Sequence, residues 1–300
     1  MIIENLDQVT QAVLDETERT QDERLKQILQ ALIRHLHGFA REVRLTEKEF
    51  DQAIGLVTAL GQHTTASHNE TRLMAGSLGL STLVCLMNNG DGGRRPTSAN
   101  LLGPFWRDGS PVLENGSSLI RSETPGDPLV FTGRVVDPEG RPVAGAEVDV
   151  WHASTVGLYE NQDPDQADWN LRGRFQTDEA GVFAFRSIRP SGYPIPITGP
   201  VGALLKAEQR HNMRPAHLHV MVYKPGFKTI SSQLYTDDDP VLETDVQFGV
   251  TRALIVHYQR REPSADAPAA PWYSLDYTFV IEPGDARRPP PPVTGKAVKA

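Results

Sequence analysis

Arg214-Pro215-Ala216-His217-Leu218-His219-Val220-Met221-Val222 sets two histidines two residues apart in a run of β-formers. Side chains at i and i+2 of a strand point to one face, roughly 7 Å apart. That spacing lets two imidazoles bind one metal ion. The fold must then bring further ligands over that face, because a catalytic metal takes three or four protein ligands and keeps an open position. The single cysteine, Cys85, lies far away in a helical pattern. His257, on an expected strand, is a candidate third nitrogen ligand. No glutamate follows the histidine pair closely; Lys224-Pro225-Gly226 stands there instead.

The chain has 300 residues and a net charge of −8. A sizeable core is available at that length. The acidic balance disfavours nucleic acid as a partner, since phosphate binding needs a basic surface. No apolar run is long enough to span a bilayer, which takes about 18 residues. The N-terminus lacks the pattern of a secretory signal. A lone cysteine cannot form an internal disulfide, so a soluble, reducing, cytoplasmic setting is expected.

Residues 1 to about 95 read as a helical domain. Asn5, Thr20, Thr46 and Ser67 are followed three residues later by Gln8, Glu23, Glu49 and Glu70, the spacing of capping boxes. Leu25, Ile28, Leu29, Leu32, Ile33 and Leu36 form one helical stripe. His35 and His37 flank it, and at i and i+2 of a helix they diverge. A third helix carries Phe50, Ile54, Val57 and Leu60. A fourth, near 68–88, is apolar all round and is expected to be buried on more than one side. Turn residues from Asn88 to Gly93 end this part.

Gly and Pro then punctuate short alternating segments. Leu129–Val136, Ala146–His152, Gly173–Thr177, Val182–Ile188, Leu218–Tyr223, Thr229–Tyr235, Ala253–Tyr258 and Tyr273–Ile281 read as strands. Asp178-Glu179-Ala180-Gly181 is placed to join two of them as a hairpin. The pattern predicts a mainly β protein: a β-sandwich over about 96–285, preceded by the helical domain. The proline-rich tail, 286–300, is expected to be extended or mobile.

Tyr159 and Tyr193 lie in segments that read as loops, where sites are commonly built. A phenol binds metal only when the ion stabilises the phenolate. Hard anionic oxygen together with imidazole suits a high-charge ion such as Fe(III). A rim or interface role for these tyrosines is the competing reading.

Several segments occur in an ordered set. They are Leu102-Gly103-Pro104-Phe105-Trp106, the strand pair from Gly133 to Trp151, Tyr159, the Arg-Gly-Arg-Phe run from Arg172, Tyr193-Pro194-Ile195-Pro196, Arg214 to His219, and Gln233-Leu234-Tyr235. The set resembles the intradiol ring-cleavage dioxygenases, the catechol and hydroxyquinol 1,2-dioxygenases, and is most like the hydroxyquinol enzymes. The resemblance implies one Fe(III) per subunit held by Tyr159, Tyr193, His217 and His219, with Tyr193 and His219 axial. It implies that Tyr193 doubles as a base, that Arg214 stabilises charge on the substrate ring, and that Gln233 acts with them. The implied reaction is O2-dependent opening of hydroxyquinol between adjacent hydroxyls, giving 3-hydroxy-cis,cis-muconate or its tautomer maleylacetate. Catechol, chlorocatechols and chlorohydroxyquinol are the alternative substrates.

The resemblance also places the substrate pocket at Thr82, Cys85, Leu102, Gly103, Pro104, Phe105, Ile195, Pro196, Arg214 and Gln247. Hydroxyquinol enzymes commonly carry an aspartate where this chain has Cys85; Thr82 or Gln247 could supply the lost polar contact. A homodimer through the N-terminal helices, with a phospholipid in an apolar tunnel at the interface, is a further implication. Two rival readings use the same residues. One is a transthyretin-like sandwich acting as a binding module, since fold alone implies no activity. The other is a zinc or copper hydrolytic site built from His217, His219 and His257.

Overall fold

The computed structural model describes residues 2–89, 97–263 and 271–297. Gly90 to Gly93, expected to end the helical part, lie outside the described residues. The chain divides into two compact units, Met1–Thr58 and Ala59–Ala300. The change in composition falls later, near residue 95.

The first unit holds α1 (Gln8–Thr17), α2 (Glu23–Glu42) and most of α3 (Glu47–Gln62). The α3 box forms as the spacing predicts. Thr46 N–H donates to Glu49 Oε2 at 2.9 Å, and Glu49 N–H donates back to Thr46 Oγ1 at 3.3 Å. The second box does not form: Asp22, not Thr20, caps α2 by accepting from Leu25 N–H at 2.9 Å. The α2 stripe is not a core of this unit, for Leu25, Ile28, Leu32 and Leu36 are 46–55% exposed. His37 Nδ1 lies 3.0 Å from Thr10 Oγ1, a local contact between α1 and α2.

In the second unit the expected fourth helix is two. The helices α4 (Glu70–Ser77) and α5 (Leu80–Asn89) are separated at Gly79, whose φ of +71° suits glycine and ends the helical run. Asn69, not Ser67, caps α4 by accepting from Arg72 N–H at 2.8 Å. Glu70 is thereby released from a capping box. It accepts instead from Val201 N–H, in the first turn of α6 (Pro200–Ala207), at 2.9 Å. Burial is also less complete than the apolar pattern predicts. Leu73 and Met74 are buried, whereas Leu80, Leu83, Val84 and Met87 are exposed.

Eleven strands are described: β1 (Pro128–Val136), β2 (Glu147–Trp151), β3 (Arg172–Gln176), β4 (Val182–Ile188), β5 (Tyr193–Pro194), β6 (Met213–Arg214), β7 (His217–Tyr223), β8 (Ile230–Thr236), β9 (Ile255–Val256), β10 (Gln259–Arg261) and β11 (Trp272–Val280). One sheet runs β10-β11-β1-β4, a second β3-β2-β7-β8-β9, and β5 pairs with β6. The expected strand at Ala253–Tyr258 shrinks to Ile255–Val256 behind a 3-10 turn. The turn at Asp178–Gly181 closes locally, Asp178 N–H donating to Val182 C=O at 2.9 Å. It does not make the expected hairpin, because β3 and β4 belong to different sheets. It is a crossing between the two layers.

The layers meet face to face in one core. Phe131, Phe183, Phe185 and Phe279 come from the first sheet; Val148, Val150, Phe175, Leu218, Val220 and Leu234 come from the second. Period-2 alternation therefore turns His217, His219 and Met221 to the opposite face of β7. The tail is extended but docked through residue 297. Val293 is buried, and the N–H groups of Thr294 and Gly295 donate to Ala66 C=O at 2.9 Å.

Gly133 sits inside β1 against this core. A Cβ there would lie 2.1 Å from Phe183 Cε1 and 2.9 Å from Phe131 Cε1. Both rings are fully buried. Gly133→Ala is expected to cost about 1–3 kcal/mol by overpacking, read as a lower urea midpoint; an unchanged midpoint would mean that the aromatic cluster yields without cost.

Candidate metal centre

The outer face of β7 is the floor of the site. Across the ladder, His219 stands between Trp151 of β2 and Gln233 of β8, and His217 pairs with Tyr235. The short β5-β6 ribbon sets Tyr193 directly opposite Arg214. Tyr159 arrives from the loop after β2, with Phe105 packed on its ring at 4.9 Å between centroids. These elements bring four donor atoms together. Tyr159 Oη is 3.3 Å from Tyr193 Oη and 3.4 Å from His217 Nε2. His217 Nε2 is 3.2 Å from His219 Nε2. All four side chains are 1–2% exposed.

Protonation follows from the neighbours. His217 Nδ1 lies 2.7 Å from Pro215 C=O. A carbonyl only accepts, so Nδ1 carries the proton and Nε2 presents its lone pair to the centre. Burial, with Arg214 beside it, lowers the His217 pKa to about 3. Burial, then His217 and Arg214, hold His219 well below the usual range. Both imidazoles are neutral at pH 7. Trp151 fixes the His219 ring by stacking, 4.6 Å between centroids and 10° between planes. Burial also raises both phenols, Tyr159 well above the usual value. The charges of Arg214 and Arg172 pull Tyr159 the other way.

Phenol hydrogens and Arg214 Nη1 serve these lone pairs through long contacts of 3.2–3.4 Å, and the same two nitrogens and two oxygens could instead meet one cation. The donor set fits a high-charge ion such as Fe(III), which takes hard phenolate oxygen with imidazole. Among the described residues, no group of three or more His, Cys, Asp or Glu could hold an ion. His257 is excluded as a third nitrogen ligand. Its side chain is 71% exposed and pairs with Asp237 at 2.8 Å.

Arg214, 2% exposed, borders the four donors with Nη1 3.2 Å from His217 Nε2. Its Nη2 donates to Gln233 Oε1 and to Tyr235 Oη, each at 3.1 Å. Gln233 Nε2 donates to Leu101 C=O at 2.6 Å, tying the segment before Gly103 to the site. A Cβ on Gly103 (φ +77°) would come within 3.2 Å of His219 Cε1, so this segment lies on the imidazole.

Beside it opens a cleft of about 940 Å³. Cys85, Leu102, Gly103, Pro104 and Gln247 line it, together with Arg72, which the sequence reading did not include. Thr82, Phe105, Ile195, Pro196 and Arg214 do not. The Thr82 hydroxyl donates to Phe248 C=O at 2.9 Å. Phe105 and Ile195 pack with Tyr159 and Tyr193 in one buried cluster. The sequence reading also passed over Asp245, the buried counter-ion of Arg214, which stands 31 residues away and carries no motif.

Comparison with known proteins agrees with this architecture. Residues 101–283 match the family model described as Dioxygenase, and 22–93 match Catechol dioxygenase N terminus. The chain is 40% identical over 277 residues to a 6-chlorohydroxyquinol 1,2-dioxygenase of Cupriavidus pinatubonensis, covering 92% of this chain and 96% of that protein. It is 37% identical over 261 residues to a catechol 1,2-dioxygenase of Candida albicans, covering 86% of each. Among solved structures, the hydroxyquinol 1,2-dioxygenase of Pseudomonas putida DLL-E4 superposes with a TM-score of 0.82 at 40% identity, covering 93% of this chain and 98% of that one.

His152, at the end of β2 beneath the site, yields a pH prediction. Its Nδ1 donates to Ala153 C=O at 2.8 Å, and its Nε2 lies 2.7 Å from Ser187 Oγ. Burial lowers its pKa to about 4. An unfolded histidine titrates near 6.5, so the unfolded chain binds the extra proton between those values. The neutral ring's contribution is whole above pH 6.5 and is lost as pH falls toward 4, about 3 kcal/mol in all. His152→Gln is expected to flatten the fall in denaturant-derived stability between pH 6.5 and 4.5 by about one proton; parallel slopes would contradict it.

Proposed function

The chain belongs to the intradiol ring-cleavage dioxygenases of the catechol and hydroxyquinol 1,2-dioxygenase family, and we propose that it opens hydroxyquinol with O2 at a ferric centre, one per subunit. The observation that carries this reading is the convergence of Tyr159, Tyr193, His217 and His219 within 3.2–3.4 Å contacts in a buried site. These four residues would hold the ion. When bound, Fe(III) would supply Lewis acidity and draw electron density from the diol, activating its ring carbon toward O2.

The protein groups divide the remaining work. Tyr193 is the base: a phenolate whose proton affinity burial has raised accepts a diol proton readily. Arg214 is a buried, fixed cation whose Nη1 edge faces the centre. It stabilises negative charge that develops on the diol oxygens and ring, without reorganising as the reaction proceeds. Gln233 holds the Nη2 side of that guanidinium and the Leu101 carbonyl, so arginine and pocket wall keep one register. The burial of all these groups excludes water and strengthens each electrostatic contact. Both atoms of O2 enter the product. Hydroxyquinol and O2 together have the composition of 3-hydroxy-cis,cis-muconate, which tautomerises to maleylacetate.

One observation favours a second reading of the substrate. The Thr82 hydroxyl is committed to Phe248 C=O at 2.9 Å, and Gln247 Nε2 to Ser77 Oγ at 2.7 Å. The Thr82 hydrogen and one Gln247 N–H are thereby engaged, leaving the hydroxyl lone pairs, the second amide hydrogen and Gln247 Oε1 as the polar contacts on offer to a third ring hydroxyl. Burial keeps Cys85 a neutral thiol, a small soft surface that suits hydrogen or chlorine on the ring. That thiol surface makes catechol or a chlorocatechol the second candidate. Oxygen uptake with hydroxyquinol, catechol, 4-chlorocatechol and chlorohydroxyquinol, with product identification, tests both. The first reading expects the highest kcat/KM for hydroxyquinol and ring opening between hydroxyls; a preference for catechol or chlorocatechol selects the second; no uptake with any diol overturns the function.

A further inference from the structure

Arg214 can present three nitrogens to its surroundings, and its neighbours decide which one faces the reacting centre. Asp245 binds it side-on. Nε donates to Oδ1 at 3.0 Å and Nη2 to Oδ2 at 3.0 Å. Both side chains are buried, at 3% and 2% exposure. Gln233 and Tyr235 add contacts to Nη2, and Tyr235 Oη donates to Gln233 Oε1 at 2.7 Å. The Nε–Nη2 edge is thus fully engaged, and Nη1 is the nitrogen left toward His217. Among the described residues Asp245 is the only carboxylate paired with this guanidinium.

The same carboxylate grips the next loop. Its oxygens accept from Gln247 N–H at 3.2 Å and Gly249 N–H at 2.9 Å. Gly249 allows this approach, since a Cβ there would lie 2.6 Å from Tyr235 Oη and 2.9 Å from Arg214 Nη2. Gln247 in turn lines the cleft.

We propose that Asp245 is a positioning residue for ring cleavage: it selects the Nη1 edge of Arg214 for the substrate and couples that edge to the Gln247–Gly249 wall of the cleft. The inference rests on the proposed dioxygenase function. Removing the carboxylate leaves the buried guanidinium held only at Nη2, by Gln233 and Tyr235, and able to pivot there, so the loss falls on the step at which charge develops rather than on diol binding.

The test is a double-mutant cycle on iron-loaded protein, with kcat from oxygen uptake and diol affinity from anaerobic optical titration. Asp245→Asn should lower kcat at least about 50-fold, as loss of one oriented charge stabiliser does, with diol affinity changed less than about threefold. Asp245→Glu, which keeps the charge, should recover part of the rate. In an Arg214→Gln background, Asp245→Asn should add nothing, because the arginine it orients is gone. Asp245→Asn and Arg214→Gln each bury an unpaired charge, so Asp245→Glu, which keeps the pair but alters the edge it grips, gives an answer even if neither folds: kcat should fall below the parent's with diol affinity changed less than about threefold. A kcat for Asp245→Asn within threefold of the parent, or a further drop on the Arg214→Gln background, would overturn the proposal. Both outcomes require a parent that cleaves a diol; a parent inactive on every diol would instead reject the function.

Discussion

Four polar atoms converge in a buried site, where phenol hydrogens and Arg214 Nη1 are the donors the protein offers to their lone pairs. Two phenol oxygens and two imidazole lone pairs stand within 3.2–3.4 Å contacts of one another. A cation held by all four would replace these long hydrogen bonds with four shorter ligand bonds. The rest of the second unit can be understood as the apparatus that keeps these atoms together while the core is built elsewhere.

Alternation along β7 is the simplest part of that apparatus. Leu218, Val220 and Val222 join the inter-sheet core, leaving His217 and His219 on the outer face. That face is then covered by a second apolar cluster, including Trp106, Trp151 and Val246. Covering it dries the site and shifts every titratable group in it by desolvation. Arg214 is the cation that this environment would otherwise reject, and Asp245 makes its burial tolerable. Charge, packing and register are therefore set by one layer of side chains.

The sequence made much of this legible because the relevant signals were local. His-x-His in a β-run dictates two imidazoles on one face, and the strand spans from Leu129 to Tyr235 emerge within a residue or two. Long-range facts were harder to read. Asp178–Gly181 has hairpin composition, but whether its strands share a sheet depends on where the layers pack. Glu70 follows Ser67 at capping-box spacing, yet its carboxylate serves α6, more than a hundred residues later. Asp245 carries no motif at all; only folding makes it the counter-ion of Arg214. Thr82 looked like a pocket hydroxyl, and a backbone carbonyl of the 248 loop claims it. The apolar run near 68–88 concealed a break at Gly79, where one left-handed residue outweighs helical periodicity.

The proposed activity depends on Tyr159 and Tyr193 acting as phenolate ligands of a ferric ion. Visible absorption spectroscopy of the purified protein, with metal analysis, tests this most directly. The expected result is a burgundy protein carrying iron, with a tyrosinate-to-Fe(III) charge-transfer band that shifts or weakens in both Tyr159→Phe and Tyr193→Phe. A colourless protein with zinc at full occupancy, or an iron band unaltered in both variants, would contradict it.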